Sequence, residues 1–245
     1  MGTSKSYGGL KGNPRWRSMS RTVSLAVSNG SHTQQSLGKV LSRAAEYIGG
    51  MNVVSSGNSA CRIHAGIRTA QHLGFFLTNI QTTGFSATLN HLNGGDDIND
   101  VNQAINVILE KCTEDAGVLD EVAAKAAIRR LLEEIGTDAN SVKELGEKFD
   151  AAIKDYGLEE LLILYFGFYI YEHLCTDFYE KLIKEKGKSE TDSFYRELND
   201  YIIEKTKTMA KLRDLRNVNW TSPNGRAIMQ EIFQSTLNEF ENYEG

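Results

Sequence analysis

The chain has 245 residues, 40% of them hydrophobic and 24% charged, with a formal net charge of −5, which suits one large globular domain or two small ones. Three scattered cysteines, Cys61, Cys112 and Cys175, do not make a disulfide framework, so a reducing cytoplasm is the expected compartment. No secretory signal opens the sequence, and the longest apolar run, Leu161 to Tyr171, is too short to cross a bilayer.

In chain order, residues 1–34 read as a flexible, Gly/Ser-rich basic arm. Within it Val23-Ser24-Leu25-Ala26-Val27 alternates like a strand; a single short strand cannot stand alone, so this reads as an anchoring segment. Helical spacing begins with Leu37, Val40, Leu41, Ala44, Ala45 and Ile48 and stops at Gly49-Gly50. Gly57-Asn58-Ser59 reads as a cap before a helix from Cys61 to Thr78. A short helix from Phe85 to Leu92 ends at Gly94-Gly95, which also marks a sub-boundary near 94–96. Helices then follow over Ile98 to Leu109 and Val118 to Ile135. Ser141-Val142-Lys143-Glu144 has capping-box spacing and opens the next. Gly157 separates that helix from the apolar run, which reads as a helix buried on all sides. After a charged turn at Lys184 to Ser189, a long amphipathic helix is predicted from Phe194 through Leu215. Ser222-Pro223-Asn224 puts a proline at the start of the last helix, which carries Ile228 to Phe240. The predicted fold is all-α: a multi-helix, bundle-like domain over 35–245 behind the flexible arm.

Charge is divided unevenly. The first 95 residues hold nine basic residues and one acid, Glu46, a net of +8, while the remainder is −13. Such a split suits a basic face with an anionic partner, or attraction between the halves. Arg62, Arg68 and His72 form one basic helical patch, and Lys207, Lys211 and Arg213 belong to a second, beside Trp220. Each is a candidate for meeting phosphates, although Glu204 and Asp214 blunt the second, and a solvated helix face is the plainer reading. Cys61, His64 and His72 have helical spacing that suits zinc, but neither His91 nor Cys112 is paired with them by any motif, so no metal site is expected. The chain contains no nucleophile elbow and no phosphate loop. No cofactor is therefore expected.

The first nine residues, through Gly2, Thr3, Ser4, Ser6, Tyr7, Gly8 and Gly9, have no apolar periodicity and cannot build a core. Removal of the initiator Met would expose the Gly2 amine, and an α-amino group titrates close to neutrality. With no side chain beside it, such an amine can enter another protein's active site. Gly2 and Ser6 also fit the myristoylation pattern loosely.

Followed by Gly12, Pro14 and Trp16, this opening resembles that of the QatB family, the B component of bacterial Qat anti-phage defence systems. Ala65 to Phe76 resembles the family's Ala/Gly/Arg helix. The chain departs from the usual family opening at Leu10, where proline is common, and at Arg15-Trp16-Arg17. The resemblance implies a non-enzymatic defence component and a QueC-like partner, QatC, that joins a deazaguanine group to Gly2 through an amide. In that picture Thr3, Ser4, Ser6 and Tyr7 supply hydrogen bonds, and Gly8 and Gly9 let the tail bend. The system's ATPase and TatD-like nuclease are further implied partners. The alternative from another class is a nucleic-acid-binding adaptor that uses the basic N-terminal region.

Overall fold

A computed structural model of the chain describes residues 14–28, 32–48, 64–113, 119–136, 138–209 and 214–241. Among them are nine α-helices: α1 Pro14–Ser28, α2 Gln34–Ile48, α3 His64–Thr83, α4 Phe85–Leu92, α5 Val101–Cys112, α6 Leu119–Ile135, α7 Val142–Lys186, α8 Lys188–Lys207 and α9 Pro223–Glu241. No strand occurs among the described residues. One continuous apolar cluster takes side chains from every one of these helices.

The organising element is α7, which touches each of the other eight described helices. Ser141 caps the helix as the spacing predicts, while Glu144 reaches back one residue beyond the cap, to Asn140. The Ser141 hydroxyl accepts from the Glu144 backbone N–H at 3.1 Å, and the Glu144 carboxylate accepts from Asn140 N–H at 2.8 Å. At Gly157 the backbone turns to φ 76°, a region open to glycine at little cost, and the helix kinks there. Beyond the kink every residue from Leu161 to Tyr171 is buried. A helix with no polar stripe has no face to offer solvent, so its neighbours must surround it.

The segment read as an alternating strand is instead the second half of α1. Trp16, Met19, Val23 and Val27 recur at helical spacing and are buried, while Leu25 points outward. Alternating Val and small residues over five positions resemble a strand only because the window is too short to show the 3.6 period. Thus residues 14–28, inside the stretch expected as an arm, are helical and pack on α2, α7 and α8. Trp16 stacks on Phe178 of α7 with ring centroids 5.7 Å apart, and Lys181 donates to the Ser20 hydroxyl at 2.7 Å.

Several boundaries also differ. The helix predicted from Phe194 through Leu215 ends at Lys207, and Leu215 is buried from a loop. Its apolar periodicity continues past the end because Met209, in the turn that follows the helix, also packs inward. The charged turn shrinks to one residue, Gly187, between α7 and α8. Ile98 precedes its helix, which Asp100 caps by accepting from Gln103 N–H at 2.8 Å. The described helix His64–Thr83 runs past the predicted end at Thr78; Gly57-Asn58-Ser59 and Cys61 lie outside the described residues.

Between α1 and α2, His32 reaches α8. Its Nδ1 lies 2.9 Å from Glu197 Oε1, and its ring meets the edge of Phe194. The hydrogen bond from His32 holds the Glu197 carboxyl below its ordinary range, with a smaller contribution from Ser193. A carboxyl depressed on folding contributes stability above its unfolded pKa and loses it as pH falls through the folded value. The stability difference between wild type and Glu197→Gln is therefore expected to be full near pH 6 and to shrink below about pH 4.5. Urea midpoints of both proteins across that window test this; a difference that grows toward pH 3 contradicts it.

Candidate functional site

The N-terminus of α3 is built into the core by two close contacts. Gly66 faces the ring of Tyr169, and a Cβ at that position would lie 2.6 Å from Tyr169 Cζ. Only glycine lets α3 approach α7 so closely. Tyr165 donates to the Gly66 carbonyl at 3.1 Å. Asp120 of α6 completes the junction: it accepts the Ala65 N–H at 2.9 Å and the Tyr169 hydroxyl. A carboxylate there satisfies one of the N–H groups left unpaired at a helix start and complements the helix dipole. His173 Nε2 lies 3.7 Å from Asp120 Oδ1. Burial pushes the Tyr165 hydroxyl well above its ordinary pKa, and it pushes the Cys112 thiol up to about 12. Neither is an available nucleophile at neutral pH.

One turn further along α3, Arg68 and His72 open onto a cleft of about 450 Å³. Its opposite wall is the start of α9, with Trp220, Ser222 and Arg226. The junction is firmly held. Gln71 donates to the Trp220 carbonyl at 2.8 Å, and the Trp220 indole donates to the Thr78 hydroxyl at 2.8 Å. The Ser222 hydroxyl accepts from Gly225 N–H at 3.1 Å, capping α9. A Cβ on Gly225 would fall 2.4 Å from the Asn219 carbonyl oxygen, so glycine sets the tight entry into the helix. Three basic side chains and no carboxylate line this cleft. His72 also keeps Nδ1 buried with no hydrogen-bond partner among the described residues.

A second hollow, of about 290 Å³, lies between α6 and α7. Here Lys125, Arg129 and Arg130 face Glu133 and Glu172. Arg130 is bound to Glu172 at 2.8 Å and lies 4.2 Å from the centre of the Tyr171 ring. Two carboxylates among its three basic side chains partly offset the positive charge there.

Of the basic residues singled out in the sequence, the structure brings Arg68 and His72 to one cleft. Lys207 is elsewhere, at the end of α8, 5.9 Å from the centre of the Tyr156 ring. Arg62, Lys211, Arg213 and the tail from Gly2 to Gly9 lie outside the described residues. His64 and His91 are exposed, Cys112 is buried, and no group of three His, Cys, Asp or Glu residues suited to a metal ion occurs among the described residues. No described helix is long and apolar enough to cross a membrane. Sequence reasoning missed Arg226 and Asp120. Arg226 follows the Ser-Pro helix start by a few residues, and a basic side chain at a helix N-terminus runs against the dipole preference, which was its available signal.

Residues 55–240 match a protein family described as Qat anti-phage system associated protein QatB. The match runs from before α3 nearly to the end of α9, so it includes the Asp120 junction and both walls of the cleft. No curated protein and no solved structure matches the chain.

Proposed function

From the premise that this chain belongs to the QatB family and is a component of an anti-phage defence system, we propose that it is a non-enzymatic substrate protein whose amino terminus is modified by a partner. The other components of its system are its partners. The observation that carries the reading is the segment from Gly2 to Gly9, small, polar and without periodicity, ahead of a well-packed helical body. In the reaction a QueC-like partner activates a deazaguanine carboxylate with ATP. The unprotonated Gly2 amine attacks the activated carbonyl carbon, the activating group leaves with its electron pair, and the amine loses a proton as the amide forms. Thr3, Ser4, Ser6 and Tyr7 supply hydrogen bonds to the partner's pocket. The helical body docks on the partner and holds the tail near its active site.

The test is co-expression with the neighbouring genes of the system, followed by mass measurement of the intact N-terminal peptide. The expected result is a Gly2 adduct of deazaguanine mass that disappears when the QueC-like partner's ATP site is disabled. An unmodified Gly2 in cells with active defence sinks the proposal. The basic N-terminal region keeps nucleic-acid binding as the competing reading; it requires affinity that falls steeply with salt.

A further inference from the structure

On the reading that Gly2 is the substrate of a partner, we propose that this partner docks on the outer face of α1, on Arg17, Arg21 and Leu25, with an acidic surface that carries an apolar notch. The three residues recur every four positions, so they form one stripe about 12 Å long. The stripe faces away from Val23 and Val27, which are buried against the body. All three are exposed, and Leu25 keeps 53% of its surface in solvent. It is one of three large apolar side chains so exposed among the described residues; the others, Phe75 and Val122, sit on α3 and α6. Leu25 alone lies on the helix that the tail leads into. The sequence of α1 holds three arginines and no acid. The ion pairs on the helices beside it, Arg43 with Glu46 and Lys181 with Glu185, leave Arg17 and Arg21 out.

Covalent geometry selects the occupant. Gly2 lies twelve positions before Pro14. A chain spans at most about 3.6 Å per residue, so the Gly2 amine stays within about 43 Å of the start of α1 whatever path it takes. An enzyme acting on that amine must place its active site inside this radius, and α1 is the first helical surface it meets there. Docking on α1 turns capture of the tail into an intramolecular step, at an effective concentration of about millimolar for a short tether. The stripe is also held still: Trp16 stacks on Phe178, and Lys181 donates to the Ser20 hydroxyl. Little freedom is therefore lost when a partner lands. Protein interfaces are enriched in arginine and depleted in lysine, and the cations of α1 are all arginine. A nucleic-acid strand fits this face less well. Two arginines and a leucine offer few phosphate contacts, and the one aromatic ring of α1, Trp16, is buried and cannot stack on bases.

The test mixes the full chain, expressed without its partners, with the purified QueC-like partner. Isothermal titration reads affinity, and intact mass reads Gly2 modification once ATP and the deazaguanine carboxylate are added. Arg17→Glu/Arg21→Glu should weaken binding about tenfold or more and slow modification at limiting protein by a similar factor. Leu25→Asp should weaken binding several-fold. Lys143→Glu/Lys154→Glu makes the same charge change on the first half of α7 and should leave both readouts unchanged. All five side chains are exposed, so thermal midpoints should stay near the wild-type value. If the arginine variant binds and is modified like the wild type, the docking face is wrong while the modification reading stands. If the wild type binds through these arginines yet Gly2 stays unmodified, the face stands and the modification reading falls. Equal weakening in both doubly reversed proteins is a net-charge effect and overturns the proposal. So does a wild type that does not bind the partner, or a pair of arginines that matters only to binding of a single-stranded oligonucleotide.

Discussion

Replacing Asp120 with alanine is expected to cost about 3–4 kcal/mol, because hydrogen bonds to a charged group are worth roughly 1.5–3 kcal/mol each and two are lost. The Ala65 N–H and the Tyr169 hydroxyl would both lose their acceptor, and α3 would lose the negative charge at its start. For a chain of this size that corresponds to a fall in Tm of about 8–12 °C. Asp120→Asn keeps an acceptor and should fall between. Asp120 and Tyr169 share one bond, so Asp120→Ala combined with Tyr169→Phe should cost clearly less than the two single changes together. Denaturant midpoints of the four proteins decide the matter, and strict additivity would falsify the shared network.

Trp16→Ala should cost about 3 kcal/mol, the lower end for truncating a buried aromatic. Two features of the site set that figure. The ring is buried and stacked on Phe178, but its indole N–H is buried with no partner among the described residues, so removing it relieves a penalty. Trp16→Phe keeps a ring against Phe178 and removes the unpaired N–H, and its cost should stay below about 1.5 kcal/mol. The loss in Trp16→Ala should also be local. Amide exchange should quicken over residues 14–28 while the apolar half of α7 stays protected. Uniform loss of protection along the chain contradicts this picture of α1 as a docked element.

Local chemistry explains which parts of the fold were legible. The Ser141 capping box, the Pro223 start, the Gly136 stop and the wholly apolar run of α7 each carry a signal within a few residues. The helix α1 was obscured by its isolated basic residues and β-branched valines, although Pro14 at its first position and the spacing of Trp16, Met19 and Val23 mark it in retrospect. The cleft was half legible: Arg68 and His72 share a helix face by spacing alone. Arg226 joins them from more than 150 positions away, through an α3–α9 contact in which Trp220 and Met229 fit closely against Gly74. No periodicity reports a meeting of that kind. The Asp120 junction was hidden for the same reason, since its three partners come from α3 and α7.

The attachment of α1 to α7 has a consequence in time. Trp16 leaves the ribosome long before Phe178, the ring it stacks on. At about 5–20 residues per second, the intervening chain takes roughly 8–30 s to synthesise. During that interval α1 has only α2 as a neighbour among the helices it finally packs against. Any enzyme that needs the finished helical body must therefore act after α7 and α8 have been made. If the proposed modification of Gly2 requires the docked helical body, synthesis itself places that step after the anchoring of α1.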